Sequence, residues 1–398
     1  MRHTRHALGT AAVAAALLFV ASCGASSGGG APATNPPATN PPASTDPHAS
    51  HAQKPAAPPA PLRAGERFVD VGLPQAYEPA APNGGTDEYR CFLIDPKLTS
   101  PAYLTGSRFQ PDNTAIVHHA IIYRLGPEQG REAAQVDAKT PGEGWTCFGD
   151  TGVQGQAAWV AHWAPGAGET LMPDGKGFTM APGSKLVMQV HYNLLGAQGV
   201  TADRSSMQMR LADASKPLKA LETALVMAPI ELPCAAAESG PLCDRDAAVA
   251  DVVKRFGQDS GETVAQLNHW CNGGREPKAG NTQSCDQPVE EAGTVYMAAG
   301  HMHLLGRAIK VELNPGTPKA ATIIDVPQYN FDNQALLPLA KPVAVRAGDT
   351  LRVTCTHDAS LRGMLPQLKP LPPRYVVWGE GTSDEMCLGI LVVEPAAR

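Results

Sequence analysis

Two sets of residues in this chain could do chemistry. His301-Met302-His303 is followed far along the sequence by Met386, in Gly379-Glu-Gly-Thr-Ser-Asp-Glu-Met386-Cys387. Alternate side chains of a strand share a face, so on a strand His301 and His303 would present both rings to one ion. A thioether added to two imidazoles favours Cu(I) over zinc or the hard cations, and three protein ligands leave a position open for a small molecule. The chemistry suited to such a site is reaction with dioxygen. The second set is all nitrogen: His118-His119 in Thr114-Ala-Ile-Val-His-His-Ala-Ile-Ile122, and His191 in Lys185-Leu-Val-Met-Gln-Val-His-Tyr-Asn193.

The elements that carry these residues follow from their patterning. Val187, Gln189 and His191 fall on one face of a strand and Leu186, Met188, Val190 and Tyr192 on the other, which presents His191 and buries the apolar side. Gln189 on the His191 face is placed to orient a ligand or a bridging water. Neighbouring strand residues point to opposite faces, so His118 and His119 reach one ion only if the strand ends, bulges or twists there. A local irregularity is expected at that pair. His162, between Trp159 and Trp163, reads as a packed histidine, and His269 and His357 as residues of cysteine-bridged loops. Met172, Met180, Met188 and Met364 read as core or loop fillers.

Together these segments resemble the copper type II ascorbate-dependent monooxygenases, the family of peptidylglycine α-hydroxylating monooxygenase and dopamine β-monooxygenase. All six ligand positions match, as do Asp87-Glu-Tyr-Arg-Cys91, Pro173-Asp-Gly-Lys-Gly-Phe178, Leu304-Leu-Gly-Arg307 and Gly348-Asp-Thr-Leu-Arg-Val-Thr-Cys355. The resemblance runs from about Glu66 to the C-terminus. It implies an all-β fold of two tandem antiparallel β-sandwich (jelly-roll-like) domains, eight- or nine-stranded, with one copper on each. His118, His119 and His191 would hold the electron-transfer copper, supplied by ascorbate or another one-electron donor. His301, His303 and Met386 would hold the copper that meets dioxygen, where hydrogen leaves a substrate C–H bond and oxygen is inserted. The amidating members carry an Arg two residues before the His-x-His pair and a Tyr four residues after the Met, where this chain has Ala299 and Ile390. They also have an Asn where Leu388 stands. Without a cation to pair with a carboxylate, a glycine-extended peptide is a poor substrate, and a small, weakly polar molecule is the expectation.

The family bridge implies Cys355–Cys387, and Cys91 with Cys147 is the expected pair in the first domain. Cys234, Cys243, Cys271 and Cys285 allow three connectivities that sequence leaves open. Disulfides in turn require an oxidising compartment. Met1-Arg-His-Thr-Arg-His6, an apolar run and Val20-Ala-Ser-Cys23 resemble a bacterial lipoprotein signal, residues 1–23, with Cys23 lipidated. The chain is then exported and anchored at the outer face of the cytoplasmic membrane or at the cell surface. Residues 24–61, with the repeat Ala33-Thr-Asn-Pro-Pro and Ala38-Thr-Asn-Pro-Pro, read as a tether. At roughly 3 Å per residue it reaches on the order of 100 Å. His48 and His51 within it read as solvated spacers.

The two domains are expected at 62–214 and 215–398, the Asp213-Ala-Ser-Lys-Pro217 stretch marking the crossing. Cys234 to about Gln287 is read as a disulfide-stapled insertion with a short helix over Asp244–Phe256, more suited to capping a sheet edge than to covering a site mouth. Charged residues are 18% of the 398, with 39 Gly and 37 Pro, the texture of short strands and turns. A net charge of −6 offers no basic stripe for nucleic acid. The expected partners are a small substrate, dioxygen and the lipid anchor, and the expected state is a monomer. One alternative keeps the copper and drops turnover: a surface protein that stores, delivers or senses copper. An adhesive β-sandwich without catalysis would have lost ligands, and none is lost.

Overall fold

Strands paired with near neighbours sort the chain into two successive groups. The computed structural model describes residues 57–396 apart from 156, 196 and 198. Cys23, the signal region, and His48 and His51 of the tether lie outside the described residues. In the first group, one sheet has the order Glu66–Gly72, Ser206–Asp213, Ala102–Gln110, Lys176–Met180, Lys219–Ala220, with Thr170–Leu171 also beside Ala102–Gln110. The other has the order Trp145–Thr146, Asp87–Ile94, Lys185–Asn193, Val117–Leu125, Ala158–Trp163. Phe92, Ile122, Met188 and Tyr192 of one sheet meet Leu104, Phe178, Met207 and Met209 of the other in a single core. Aliphatic, aromatic and sulfur-bearing side chains two residues apart on these strands point into that core and close the sandwich.

The second group begins with Glu222–Met227, which joins Leu388–Pro395, Gly293–His301 and Leu337–Val345 in a four-stranded sheet. Thr282–Pro288, Thr350–His357, Gly306–Leu313 and Ala321–Val326 make the facing sheet, and Glu231–Leu232 pairs with Val376–Val377. Val226, Val295, Ile309, Val311, Val353 and Leu391 fill the space between. The fold is therefore all-β, as two sandwiches that are antiparallel except where Lys219–Ala220 runs parallel to Lys176–Gly177, and both belong to one compact unit. Among the described residues each half exceeds eight or nine strands because two-residue strands are added, Trp145–Thr146, Thr170–Leu171 and Lys219–Ala220 in the first and the separate pair of Glu231–Leu232 with Val376–Val377 in the second.

Among the described residues three α-helices interrupt this pattern: α1, Pro127–Lys139; α2, Arg245–Phe256; α3, Gln258–Cys271. Helix α1 was not anticipated, though Pro127 at its first turn, Glu128 beside it and Lys139 in its last turn are helix signals. It changes the environment of the His191 strand. Val187 packs with Leu125, Ala133 of α1, Trp145 and the Cys91–Cys147 bridge, so the face expected to be open is buried too. In the insertion Asp244 caps α2 by accepting from Ala247 N at 2.9 Å. Gly257, at φ 92°, turns the chain into α3 where a single helix was expected.

The remaining disulfides are Cys234–Cys243, Cys271–Cys285 and Cys355–Cys387. Cys271–Cys285 ties the end of α3 to Thr282–Pro288, the edge strand of its sheet. Four disulfides belong to an oxidising, extracytoplasmic compartment. Among the described residues no helix is long and apolar enough to cross a membrane.

Candidate metal centre

The register of Val117–Leu125 against Lys185–Asn193 shifts between Val117 and His119, the irregularity the adjacent histidines required. One extra residue in one strand re-aims a side chain. His118, His119 and His191 are buried, and one ring nitrogen of each lies within 4.8 Å of the others. His118 Nδ1 is 3.1 Å from His191 Nδ1. On the far side of the His191 ring, Nε2 meets Asp87 Oδ1 at 2.9 Å, and Tyr89 stacks on the ring with centroids 4.0 Å apart.

Protonation follows from these contacts. Burial lowers the His191 pKa against the opposing pull of Asp87, so the ring is neutral near pH 7. Burial raises the Asp87 carboxyl, yet its bonds from His191, Thr382 and Thr86 outweigh that and hold it below its usual range. A neutral imidazole facing a carboxylate carries its proton on the nitrogen that donates, here Nε2. Nδ1 is left as a bare lone pair aimed at His118.

The other set differs from the sequence expectation in one respect. The strand Gly293–His301 ends at His301, so His303 sits in the following turn and not beside His301 on a strand face. The turn restores the convergence: the two rings lie 5.2 Å apart. His301 Nδ1 is 2.6 Å from Gln334 Oε1, and His303 Nδ1 is 3.2 Å from the Asp384 carbonyl. Each acceptor fixes the proton on Nδ1 and leaves Nε2 as the available donor atom. His303 Nε2 is buried without a hydrogen-bond partner, as a nitrogen kept for an ion would be. Burial, then His303, pushes His301 down to about 3, and burial followed by the neighbouring imidazoles holds His119 well below its ordinary value.

Glu385 shapes the Met386 loop, its carboxylate accepting from the backbone N of His303 at 2.9 Å, Leu305 at 2.5 Å and Met386 at 3.3 Å. Cys355–Cys387 anchors the residue after Met386 to the strand Thr350–His357.

The two sets are neighbours. His119 and His301 have ring centroids 5.6 Å apart, and Phe331 stacks on His118 at 4.6 Å. Polar contacts across the halves explain the approach: Thr382 Oγ1 donates to Asp87 at 2.5 Å, Asn193 to Thr382 Oγ1 at 3.1 Å, and Tyr89 to the Glu380 carbonyl at 2.7 Å. His119, His301 and Met386 line one cavity of about 110 Å³, walled largely by Trp159, Leu225, Met227, Trp378, Leu388 and Ile390. A larger groove of about 590 Å³ adjoins it, sharing Gly149, Trp159 and Leu225.

Four contributors were not identified from sequence. Asp87 lies within a matching stretch, but only the pairing of Asp87–Ile94 with Lys185–Asn193 shows that it serves His191. Gln334 and Glu380 occupy segments with no periodicity to read, and Glu385 adjoins the Met without being a ligand type for a soft ion. Glu380 lines the cavity, where burial and then Asp384 and Asp150 push its carboxyl up to about 8. Gln189 also lines the cavity, but its amide donates to the Asp150 carbonyl at 2.7 Å and not to an imidazole. His162 is on the same wall, its Nδ1 accepting from Trp159 Nε1 at 3.4 Å.

Residues 278–393 match the profile of the copper type II ascorbate-dependent monooxygenase C-terminal domain. The chain is 22% identical over 293 residues to tyramine beta-hydroxylase of Caenorhabditis briggsae, covering 72% of itself and 41% of that relative. It therefore spans less than half the length of that protein. Solved structures overlap weakly: the major capsid protein P2 of bacteriophage PM2, at 9% identity and TM-score 0.28, covers 83% of this chain and 99% of its own. A Paenibacillus xanthan lyase, at 14% identity and TM-score 0.19, covers 82% and 25%. Overlaps this slight carry no argument about function.

Proposed function

We propose that this chain, which belongs to the copper type II ascorbate-dependent monooxygenase family, hydroxylates a C–H bond of a small substrate with dioxygen. A donor such as ascorbate supplies electrons one at a time. One oxygen atom of dioxygen enters the substrate and the other leaves as water, which consumes two electrons and two protons beyond the substrate's own hydrogen. His118, His119 and His191 would hold one copper and His301, His303 and Met386 another, and bound copper supplies the one-electron redox chemistry and the activation of dioxygen. The observation that carries this reading is the adjacency of two clusters of ligand type: three buried histidines with one ring nitrogen of each within 4.8 Å of the others, and the His301–His303 pair. His119, His301 and Met386 line one cavity, and Asp87, Gln334 and the Asp384 carbonyl hold the outward nitrogens of His191, His301 and His303.

The chain's own residues do the rest. Asp87, Gln334 and the Asp384 carbonyl orient three of the imidazoles. Trp159, Trp378, Leu388 and Ile390 exclude water and favour an apolar C–H donor. Lipid anchoring through Cys23 and a monomeric state belong to this proposal on sequence alone. Oxygen uptake by copper-loaded protein over a panel of small substrates tests the reading. Consumption matched to hydroxylated product, requiring both ascorbate and copper and abolished by a chelator, is the expected result. Tight copper binding with no product from any substrate would favour a storage or delivery role.

A further inference from the structure

The cysteine-stapled insertion does more than cap a sheet edge. The last turn of α2 carries Arg255, whose guanidinium meets the Asp384 carboxylate in paired bonds of 2.6 and 2.7 Å, while its Nε donates to Asp251 at 2.9 Å. The Asp384 side chain is only 2% exposed. Its carboxylate also accepts from Gly381 N at 3.1 Å, and its backbone carbonyl is the partner of His303 Nδ1. The guanidinium lies tight against the loop, since a Cβ on Gly381 would sit 2.8 Å from Arg255 Nη1.

The same turn reaches the first sandwich. Asn83 donates to the Arg255 carbonyl at 3.3 Å, and Phe256 meets Phe148 edge-on at 5.3 Å. At its other end α2 is fixed by Arg245, paired with buried Glu231 at 2.6 and 2.7 Å, and by the nearby Cys234–Cys243 bridge. The helix is a strut from the second sandwich to the loop that bears Met386.

We propose that Arg255 is a positioning residue for the metal centre, holding the Gly379–Met386 loop through Asp384 so that His303 and Met386 converge. This rests on the ligand assignment proposed above. A planar guanidinium fork fixes a carboxylate in angle as well as distance, which an ammonium does not. Arg374 stands 3.4 Å from Asp384 Oδ1, so the buried carboxylate keeps a cation when Arg255 is replaced.

The test uses the full chain as wild type, Arg255→Met and Arg255→Lys, loaded with Cu(I) alone. It is read by competition with a coloured Cu(I) chelator, by X-ray absorption and by thermal midpoint. Arg255→Met should bind roughly 10–100-fold more weakly at one of two sites, with reduced sulfur scattering and the other site unchanged. Arg255→Lys, milder towards folding, should fall between it and wild type. A lowered midpoint with wild-type affinity and sulfur scattering in both variants would make Arg255 merely structural and overturn the inference. A wild type that shows no sulfur scattering would instead overturn the ligand set, and the inference with it.

Discussion

Asp87→Ala is expected to loosen the all-histidine set and the seam between the two halves together. The carboxylate is 3% exposed and accepts from His191 Nε2, Thr86 Oγ1, Thr382 Oγ1 and Thr382 N. Its removal frees the His191 tautomer and leaves buried donors unpaired, so metal affinity at this set should fall roughly 10–100-fold. Stability of the metal-free protein should fall by about 1–3 kcal/mol for each buried donor left without an acceptor. Asp87→Asn keeps an acceptor oxygen and should lose less on both counts. Chelator competition and chemical denaturation of the same samples measure the two effects. An alanine variant with wild-type affinity at the all-nitrogen site would remove Asp87 from the account.

Glu380→Gln should change how stability depends on pH. The carboxyl is raised to about 8 by burial and by its acidic neighbours, and it lines the cavity with no cation among the causes of its shift. Folded protein therefore holds a proton that the unfolded chain releases near the ordinary glutamate value. The sign follows from proton counts: between pH 4.5 and 8 the native state binds more protons, so stability declines as pH rises through that window and levels off above it. The expected decline is on the order of 2–4 kcal/mol, at about 1.4 kcal/mol per unit and discounted for the partial exposure of the side chain. Glutamine carries no proton to lose, so the metal-free variant should lack this slope and exceed wild type in thermal midpoint above pH 8. Parallel midpoint curves for the two proteins from pH 5 to 9 would show that Glu380 does not titrate in this range.

The proposed ligand set could be put forward from sequence because it depends on residue type and order. Three histidines in two segments, a His-x-His pair and a later Met-Cys define soft and nitrogen donors without any knowledge of the fold. The irregularity at His118-His119 was legible too, since alternation forbids two neighbours from facing one ion unless the register breaks, as it does after Val117. Alternation failed at His303, because a strand can end inside a motif that fits it and the turn still bring both rings together. It failed again for the Val187–Gln189–His191 face: the pattern marks one apolar side but cannot show that α1 and a disulfide cover the other. The closeness of the two sets, the strut through Arg255 and the supports at Asp87, Gln334 and Glu385 are tertiary facts. They join residues remote in sequence through loops, where no period reports on partners.

A soft, sulfur-bearing copper site beside an all-nitrogen one underlies the proposed activity. Copper quantitation with X-ray absorption on the Cu(I) form of wild type and Met386→Ala tests it most directly. Two coppers per wild-type chain and a sulfur scatterer that vanishes in the variant are the expected result. One copper or none in wild type, or sulfur scattering unchanged by Met386→Ala, would contradict the six-ligand assignment.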